Sequence, residues 1–376
     1  MLREASVPRA DWREDCEAVG FSFHSMDGIY WDETACYRLN GEQVDELEAA
    51  TEELHGMCIQ AVEHIIKEKR FDELRLAPSF AEYAAKSWAK AEPSLFGRFD
   101  FAYDGKGPPK LLEYNADTPT GLLEAAVVQW RWMQAVQPDA DQFNSLHEKL
   151  IERWPAMRAD WPVDALLSFS SVRENEEDFG NIEYLRDTAA QAGFQTQWLA
   201  VEDIGWADPE RRFVDLANRP IDVLVKLYPW EWVFADAFGA RLSGSELRVV
   251  EPPWKALLSN KGLLVVLWEL FPDHPNLLPA YFSPGRIRGD YVEKPIYSRE
   301  GANVTIRQGG RVLREPGSYG AEGFVYQAYT PIPRFGDSYM TVGSWVVGDR
   351  AAGIGIREDA SEITCNTSRF LPHYFR

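Results

Sequence analysis

GRFDFAYDGKGPPKLLEYN, residues 97–115, alternates in residue type on either side of a turn-forming centre. Successive side chains on a strand point to opposite faces, so Arg98 and Asp100 share one face while Phe99 and Phe101 take the other. On the return run Glu113 and Asn115 oppose Leu112 and Tyr114. The glycines and prolines of DGKGPP, Asp104 to Pro109, mark a loop between two strands, which predicts a β-hairpin. Symmetric pairing about that loop puts Asp100 opposite Glu113 and Arg98 opposite Asn115; a one-residue bulge would spoil this register. Two carboxylates, an amide oxygen and a guanidinium then converge. Hard oxygens of this kind, with positions left for water and phosphate, suit magnesium bound with a nucleotide, and an adjacent arginine can offset charge on phosphoryl oxygens. The same residues also fit an exposed hairpin face with cross-strand salt bridges, and the hairpin alone does not decide between the two.

On the N-terminal side, Val44, Leu47, Leu54, Met57, Ile59, Val62 and Ile65 fall near helical spacing among acids, predicting one long amphipathic helix over Gly41 to Lys69. A second helix is expected over Gly121 to Ala135. From Trp161 the texture changes to strand Ala165–Phe169, helix Asp178–Ala192, strand Thr196–Leu199 and strand Ile221–Tyr228, the pattern of a small parallel α/β lobe. After Glu251-Pro-Pro, a helix over Lys261–Phe271 leads into candidate strands at Tyr291–Ile296, Phe324–Tyr329, Tyr339–Val347 and Ala351–Ile356, a mostly antiparallel sheet. Three regions are therefore expected: 1–160, helical with the hairpin; 161–250, the parallel lobe; and 251–376, the antiparallel sheet with its helical cover, which the resemblance given below makes the nucleotide-clasping part.

The 376 residues, 45% hydrophobic and 26% charged, are enough for real cores and exceed one typical domain. The longest apolar run, Leu263 to Phe271, is interrupted by Glu269 and too short to span a bilayer, and the N-terminus lacks the pattern of a secretory signal. The four cysteines have no CxxC pair and no regular spacing, which argues against a zinc site or a disulfide framework and fits a cytoplasmic protein. A formal charge of −20 without a Lys/Arg block argues against nucleic acid. It is compatible with a cationic substrate, and also with nothing more than a solvated surface.

The run from Gly97 to Asp100, followed by LLEYNADTPT from Leu111 to Thr120, resembles the synthetase domain of the glutathionylspermidine synthetase family, above all its stand-alone acid–amine ligase members. The likeness continues through QFNSLHEKL from Gln142, EPPWK from Glu251, SNK from Ser259, EKPI from Glu293, VYQ from Val325, GIRED from Gly355 and TSRF from Thr367. It covers most of the chain in order. The resemblance implies a mixed α+β and α/β protein with a circularly permuted ATP-grasp fold and a small parallel lobe of the pre-ATP-grasp kind. It implies amide formation through an acyl phosphate, with ATP as co-substrate and Mg2+, expected as two ions.

The same resemblance puts the metal ligands on Asp100, Glu113 and Asn115 and the transition-state arginine on Arg98. The phosphate-holding lysines fall on Lys261 and Lys294, the loop over the phosphates on Ser298 to Asn303 with Gly301, an adenine contact on Gln327 and a second phosphate-side arginine on Arg357. Thr118 and Thr120 match positions that hold the acid, and an acidic pair for the amine is placed on Glu176 and Glu177. Where some relatives carry a cysteine this chain has Gly121, which puts glutathione itself in doubt. The expected partners are a peptide- or amino-acid-like acid and a polyamine-like amine. Taken singly, each lysine also fits a solvated surface residue, Gln327 a backbone-satisfied core amide, Arg357 a salt bridge to Glu358 or Asp359, the threonines turn residues, and the acidic pair a favourable helix start. Two rival functions stand beside the ligase: a regulatory ATP-binding module of the same fold, and a glycoside hydrolase using a carboxylate pair and tryptophan platforms.

Overall fold

The computed structural model describes residues 1–25 and 28–376. Its strands Phe96–Ala102 and Lys110–Asn115 form the expected hairpin, at one edge of a six-stranded antiparallel sheet. The hairpin is followed in the sheet by Ser338–Val347, Arg350–Asp359 and Arg369–Leu371, with Arg334–Phe335 beside Ser338–Val347. Asp100 faces Gly343 and Arg98 faces Trp345 across the ladder. The hairpin of the first region and the strands of the third therefore share one sheet, and the chain order of the regions is not their spatial order.

Arg98 pairs with Asn115 and Asp100 with Glu113, in the register read from the sequence. The feared bulge is present, but on the loop side of those pairs, where the ladder steps to Phe101 opposite Leu111 and Ala102 opposite Lys110. Leu112 is left without a ladder partner. Packing explains why the register holds. Phe99 stacks on Tyr114 at 3.8 Å, and a Cβ on Gly97 would lie 2.8 Å from the Tyr114 ring. A one-residue slip would turn these aromatics out of the core.

The helix Gly41–Lys67 covers the buried face of this sheet. Its start is set by a capping box between Asn40 and Gln43. Leu47, Leu54, Cys58, Ala61, Val62 and Ile65 are fully buried along it, and Thr51 shares a 2.7 Å hydroxyl hydrogen bond with Ser344 of the sheet. The parallel sheet runs in the order Arg248–Val250, Val223–Lys226, Leu166–Ser171, Gln195–Ala200, with Glu176–Gln191 as a crossover helix. A third, antiparallel sheet contains Tyr291–Pro295 and Phe324–Ala328, and faces the hairpin across a cleft. The fold is mixed α/β with parallel and antiparallel sheets.

Some elements were not foreseen. Leu2–Ala5, Ala35–Leu39 and His373–Phe375 form a small sheet, and Thr305–Gln308 pairs with Arg311–Arg314. These strands are short and interspersed with charge, so their ladders come from tertiary partners rather than from a legible alternation. The helix expected from Gly121 is interrupted by a π-helical turn over Glu124–Val128. Among the described residues no helix is long and apolar enough to cross a membrane, and all four cysteines are free.

The parallel lobe is fastened to the central sheet by Glu251. Its carboxylate accepts from the backbone N–H of Leu95 and of Phe96, each at 3.0 Å, and lies 3.4 Å from Lys255 Nζ with both side chains 1% exposed. Lys255 in turn donates to the Phe96 carbonyl at 2.8 Å. Removing one charge of a buried pair strands the other. Glu251→Ala is expected to lower the unfolding free energy by about 3–5 kcal/mol in urea denaturation, and Glu251→Ala with Lys255→Met to lose less than the single change. A surface-like loss below about 1 kcal/mol for the single change would show that the staple does not hold the lobe.

Candidate functional site

The hairpin presents its polar face to the cleft beneath the third sheet. Arg98 donates to both oxygens of Asp100, Nε at 2.7 Å and Nη2 at 3.0 Å, and its Nη1 donates to the Thr120 carbonyl at 2.5 Å. Asn115 Nδ2 donates at 3.1 Å to Asp100 Oδ2 and at 3.1 Å to Glu113 Oε1. The two carboxylates thus converge on one amide. Burial raises the Asp100 carboxyl above its ordinary pKa, although Arg98 opposes the shift. Burial also acts to raise Glu113, but there Lys261 and Lys294 outweigh it and hold the carboxyl well below the usual range.

Both lysines reach the site from separate elements. Lys261, just ahead of the helix Leu263–Leu270, lies 2.9 Å from Glu113 Oε2 and donates to the Ser298 carbonyl at 2.5 Å. Lys294, in the strand Tyr291–Pro295, donates to the carbonyl of the bulged Leu112 at 2.7 Å and to Gln327 Oε1 at 2.7 Å. Burial brings its ammonium down to about 8. Gln327 completes the chain by donating to the Leu111 carbonyl at 2.9 Å, so both ends of its amide are engaged within the protein. Asp100, Glu113, Lys261, Lys294 and Gln327 line the polar end of the cleft, and Val292, Val304 and Ile306 its apolar end.

Gly301 has φ +70° and lies in the loop at the cleft; a Cβ there would sit 2.7 Å from the Thr364 carbonyl oxygen and from Ile363. Only glycine meets both demands. Arg357 donates to the carbonyls of Cys365 and Asn366, and its Nε is buried without a partner among the described residues. The carboxylates of Glu358 and Asp359 are engaged elsewhere, by Arg3, Tyr37 and Arg369 and by Ser368. Thr118 Oγ1 accepts from Arg299 at 2.9 Å. Thr120 joins Arg98, Asp100 and Arg357 around a second, smaller cavity. The proposed amine pair separates: Glu177 is buried, whereas Glu176 is exposed at the start of the helix capped by Asn175.

The donor set fits magnesium. Two carboxylates held 3.1 Å from one amide nitrogen, on a side chain that also carries a carbonyl oxygen, offer three hard donors in one place. Among the described residues no group of three or more His, Cys, Asp or Glu is arranged to hold a metal. Magnesium bound with a nucleotide takes its remaining ligands from water and phosphate oxygens.

The family model described as glutathionylspermidine synthase preATP-grasp matches residues 3–376. The chain belongs to the glutathionylspermidine synthase family. A Haemophilus influenzae protein described as a candidate acid–amine ligase is 42% identical over 392 residues, covering 100% of both chains. Trypanothione synthetase of Crithidia fasciculata is 28% identical over 350 residues, 85% of this chain and 53% of that one. The bifunctional glutathionylspermidine synthetase/amidase of Escherichia coli is 27% identical over 396 residues, 96% of this chain and 63% of that one. This chain thus spans about half to two-thirds of the length of the latter two. A glutathione synthetase-like effector of Globodera pallida in its apo form has the same fold, with a TM-score of 0.59 at 9% identity over 97% of this chain and 96% of that one.

Within this family member, several residues near the site were not singled out from the sequence. Asp117 is buried and accepts from Lys226 Nζ at 2.6 Å and from the Trp230 N–H at 2.8 Å. Arg299 pairs with Glu231 at 2.8 Å while it holds Thr118. Glu124 is fully buried; Tyr30 donates to its Oε1 at 2.6 Å, and its Oε2 has no partner among the described residues. Burial, then the nearby Glu177 charge, push the Glu124 carboxyl up to about 7, and burial with Glu177 and Glu300 does the same for Asp178. A signal for Glu124 existed: it is the lone acid in LLEAAVV, residues 122–128.

Glu124 titrates higher in the folded chain than its ordinary 4.5, so the folded state binds the extra proton between the two values. Its contribution is best below about pH 4.5 and is lost as pH rises through about 7. Over that window the unfolding free energy of Glu124→Gln is expected to gain on wild type by about 3 kcal/mol, read by urea denaturation at several pH values. A difference that stays flat across the window would contradict the shift.

Proposed function

We propose that this chain is an ATP-dependent acid–amine ligase with a circularly permuted ATP-grasp arrangement, forming an amide through an acyl phosphate with release of ADP and phosphate. The observation that carries this reading is the single cluster in which Asn115 joins Asp100 to Glu113 beside Lys261, Lys294 and Arg98. A family in which relatives are named as ligases supports it.

In this reading the acid docks on the Thr118–Thr120 loop and its carboxylate oxygen attacks the γ-phosphorus of ATP. Lys261 and Lys294 hold phosphate oxygens as point charges, under the Gly301 loop, and the apolar Val292, Val304 and Ile306 receive the base. Arg98, already fixed by Asp100 and the Thr120 carbonyl, offsets the charge that develops on the transferring group. Asp100, Glu113 and Asn115 would hold magnesium, which supplies neutralisation of phosphate charge. Glu177 attracts the amine as a cation. The substrates are small molecules: a peptide- or amino-acid-like acid and a polyamine-like amine.

The test is phosphate release from Mg-ATP by wild type and by Glu113→Ala, with and without a panel of peptides, amino acids and polyamines. Wild type is expected to release phosphate faster with one acid–amine pair, and the variant to lose about a hundredfold or more. Nucleotide binding without turnover under any pair would favour a regulatory module, and absence of nucleotide binding would end the ligase reading.

A further inference from the structure

Amide synthesis needs the amine as a free base, yet an alkylamine arrives as an ammonium ion at neutral pH. None of the hairpin groups suits that proton: Arg98 and the two lysines are cations, and Asp100 and Glu113 belong to the metal set. The smaller cavity supplies another route. It is lined by Tyr30 together with Arg98, Thr120 and Arg357, so it lies where the phosphate-side arginines meet the acid loop. Behind Tyr30, and shut off from solvent, is Glu124, whose Oε1 takes the phenolic hydrogen at 2.6 Å.

Glu124 is an expensive residue to keep without a use. It is fully buried, its Oε2 has no hydrogen-bond partner, and no lysine or arginine forms an ion pair with it among the described residues. A buried carboxylate left in this state is costly unless its protonation serves something. It sits at the first position of the π-helical turn Glu124–Val128, a local widening that recurs at functional sites. The charged and titratable groups that act on it are Tyr30, Glu177 and Arg357.

Resting on the ligase reading, we infer that Tyr30 and Glu124 form a proton relay that deprotonates the attacking amine. The ammonium N–H gives its proton to Tyr30 Oη while the phenolic proton passes to Glu124 Oε1, so that the tyrosine ends neutral and the carboxylate becomes a carboxylic acid. The freed lone pair attacks the acyl carbon, the C–N bond forms, the C–O bond to phosphate breaks, and the second amine proton leaves with the phosphate. Tyr30 touches the substrate in this scheme; Glu124 acts through Tyr30. The near-neutral Glu124 carboxyl, about 7, matches the task, because it is available as a base and still able to release its proton between turnovers.

The experiment uses the full chain with Mg-ATP and the acid that gives phosphate release in the panel above, and compares two nucleophiles: the panel's alkylamine (spermidine where the polyamines respond), which must lose a proton, and hydroxylamine, which is already largely neutral at pH 7 and needs no base. In Glu124→Gln and in Tyr30→Phe, amide formation with the alkylamine is expected to fall by about a hundredfold or more while hydroxamate formation stays within about threefold. The wild-type amide rate rises with pH through about 7 as Glu124 ionises, and this limb moves to higher pH in Glu124→Gln. Equal losses with both nucleophiles would overturn the relay and assign the pair to acyl phosphate formation or packing, while unchanged rates would overturn it outright. Absence of wild-type phosphate release under every pair in the panel above marks failure of the ligase reading instead. A second readout needs no substrate: a protonated-carboxyl infrared band that titrates near neutral pH in Asp178→Asn and is missing in Asp178→Asn with Glu124→Gln, Asp178 being the other carboxyl raised to about 7. Its absence from Asp178→Asn removes the relay.

Discussion

The hairpin that carries the candidate site is clamped at both ends by buried charge from the parallel lobe, and the geometry of the cleft depends on that clamp. At its start the Glu251 carboxylate grips the backbone of Leu95 and Phe96, with Lys255 returning a hydrogen bond to Phe96. Beyond its end Asp117 receives Lys226 and the Trp230 N–H. Neither ion pair is a cheap source of stability, since taking such charges out of water offsets most of their attraction. What they do supply is uniqueness of position. A buried carboxylate that must find two particular N–H groups tolerates no slip of the strand that carries them. Asp100 and Glu113 are thereby held face to face.

Much of this was legible in the sequence. The alternation in residues 97–115 is strong because both faces are specified, aromatic on one and charged or amide on the other, so register and chemistry could be read together. The long helix and the strands of the parallel lobe were readable for the same reason, a clean period over enough residues. The bulge at Leu112 was not, since no side chain announces a backbone carbonyl that turns aside to meet a lysine from another sheet. The acidic pair placed on Glu176 and Glu177 came from the family resemblance, and burial separates the two residues. Glu124 was passed over because a single acid in an apolar helical run looks like an ordinary interruption until its surroundings are known.

The candidate site has two electrostatic halves. On one side Lys261 and Lys294 press Glu113 into its charged form and stand beside it in the cleft as two ammonium groups. On the other, burial, with the Glu177 charge adding to it, raises Tyr30, Glu124, Asp178 and Glu300 together. Arg98 and Arg357 stand at the boundary. A reaction that joins an activated acid to a cation uses both halves in turn, and one uniform field could not serve both.

The central sheet places the early strand Phe96–Ala102 directly against the late strand Ser338–Val347, and the strand Ala35–Leu39 runs beside His373–Phe375. During synthesis the hairpin therefore emerges long before the backbone that will flank it, with one edge unpaired. Pairings of such high sequence separation form slowly and expose strand edges in the meantime. The nascent chain must carry Arg98 and Asp100 on an open edge until the strand Ser338–Val347 has been made. Assembly of the candidate site therefore waits on a strand made long after the hairpin, and a chain released before that strand keeps one edge of the hairpin open.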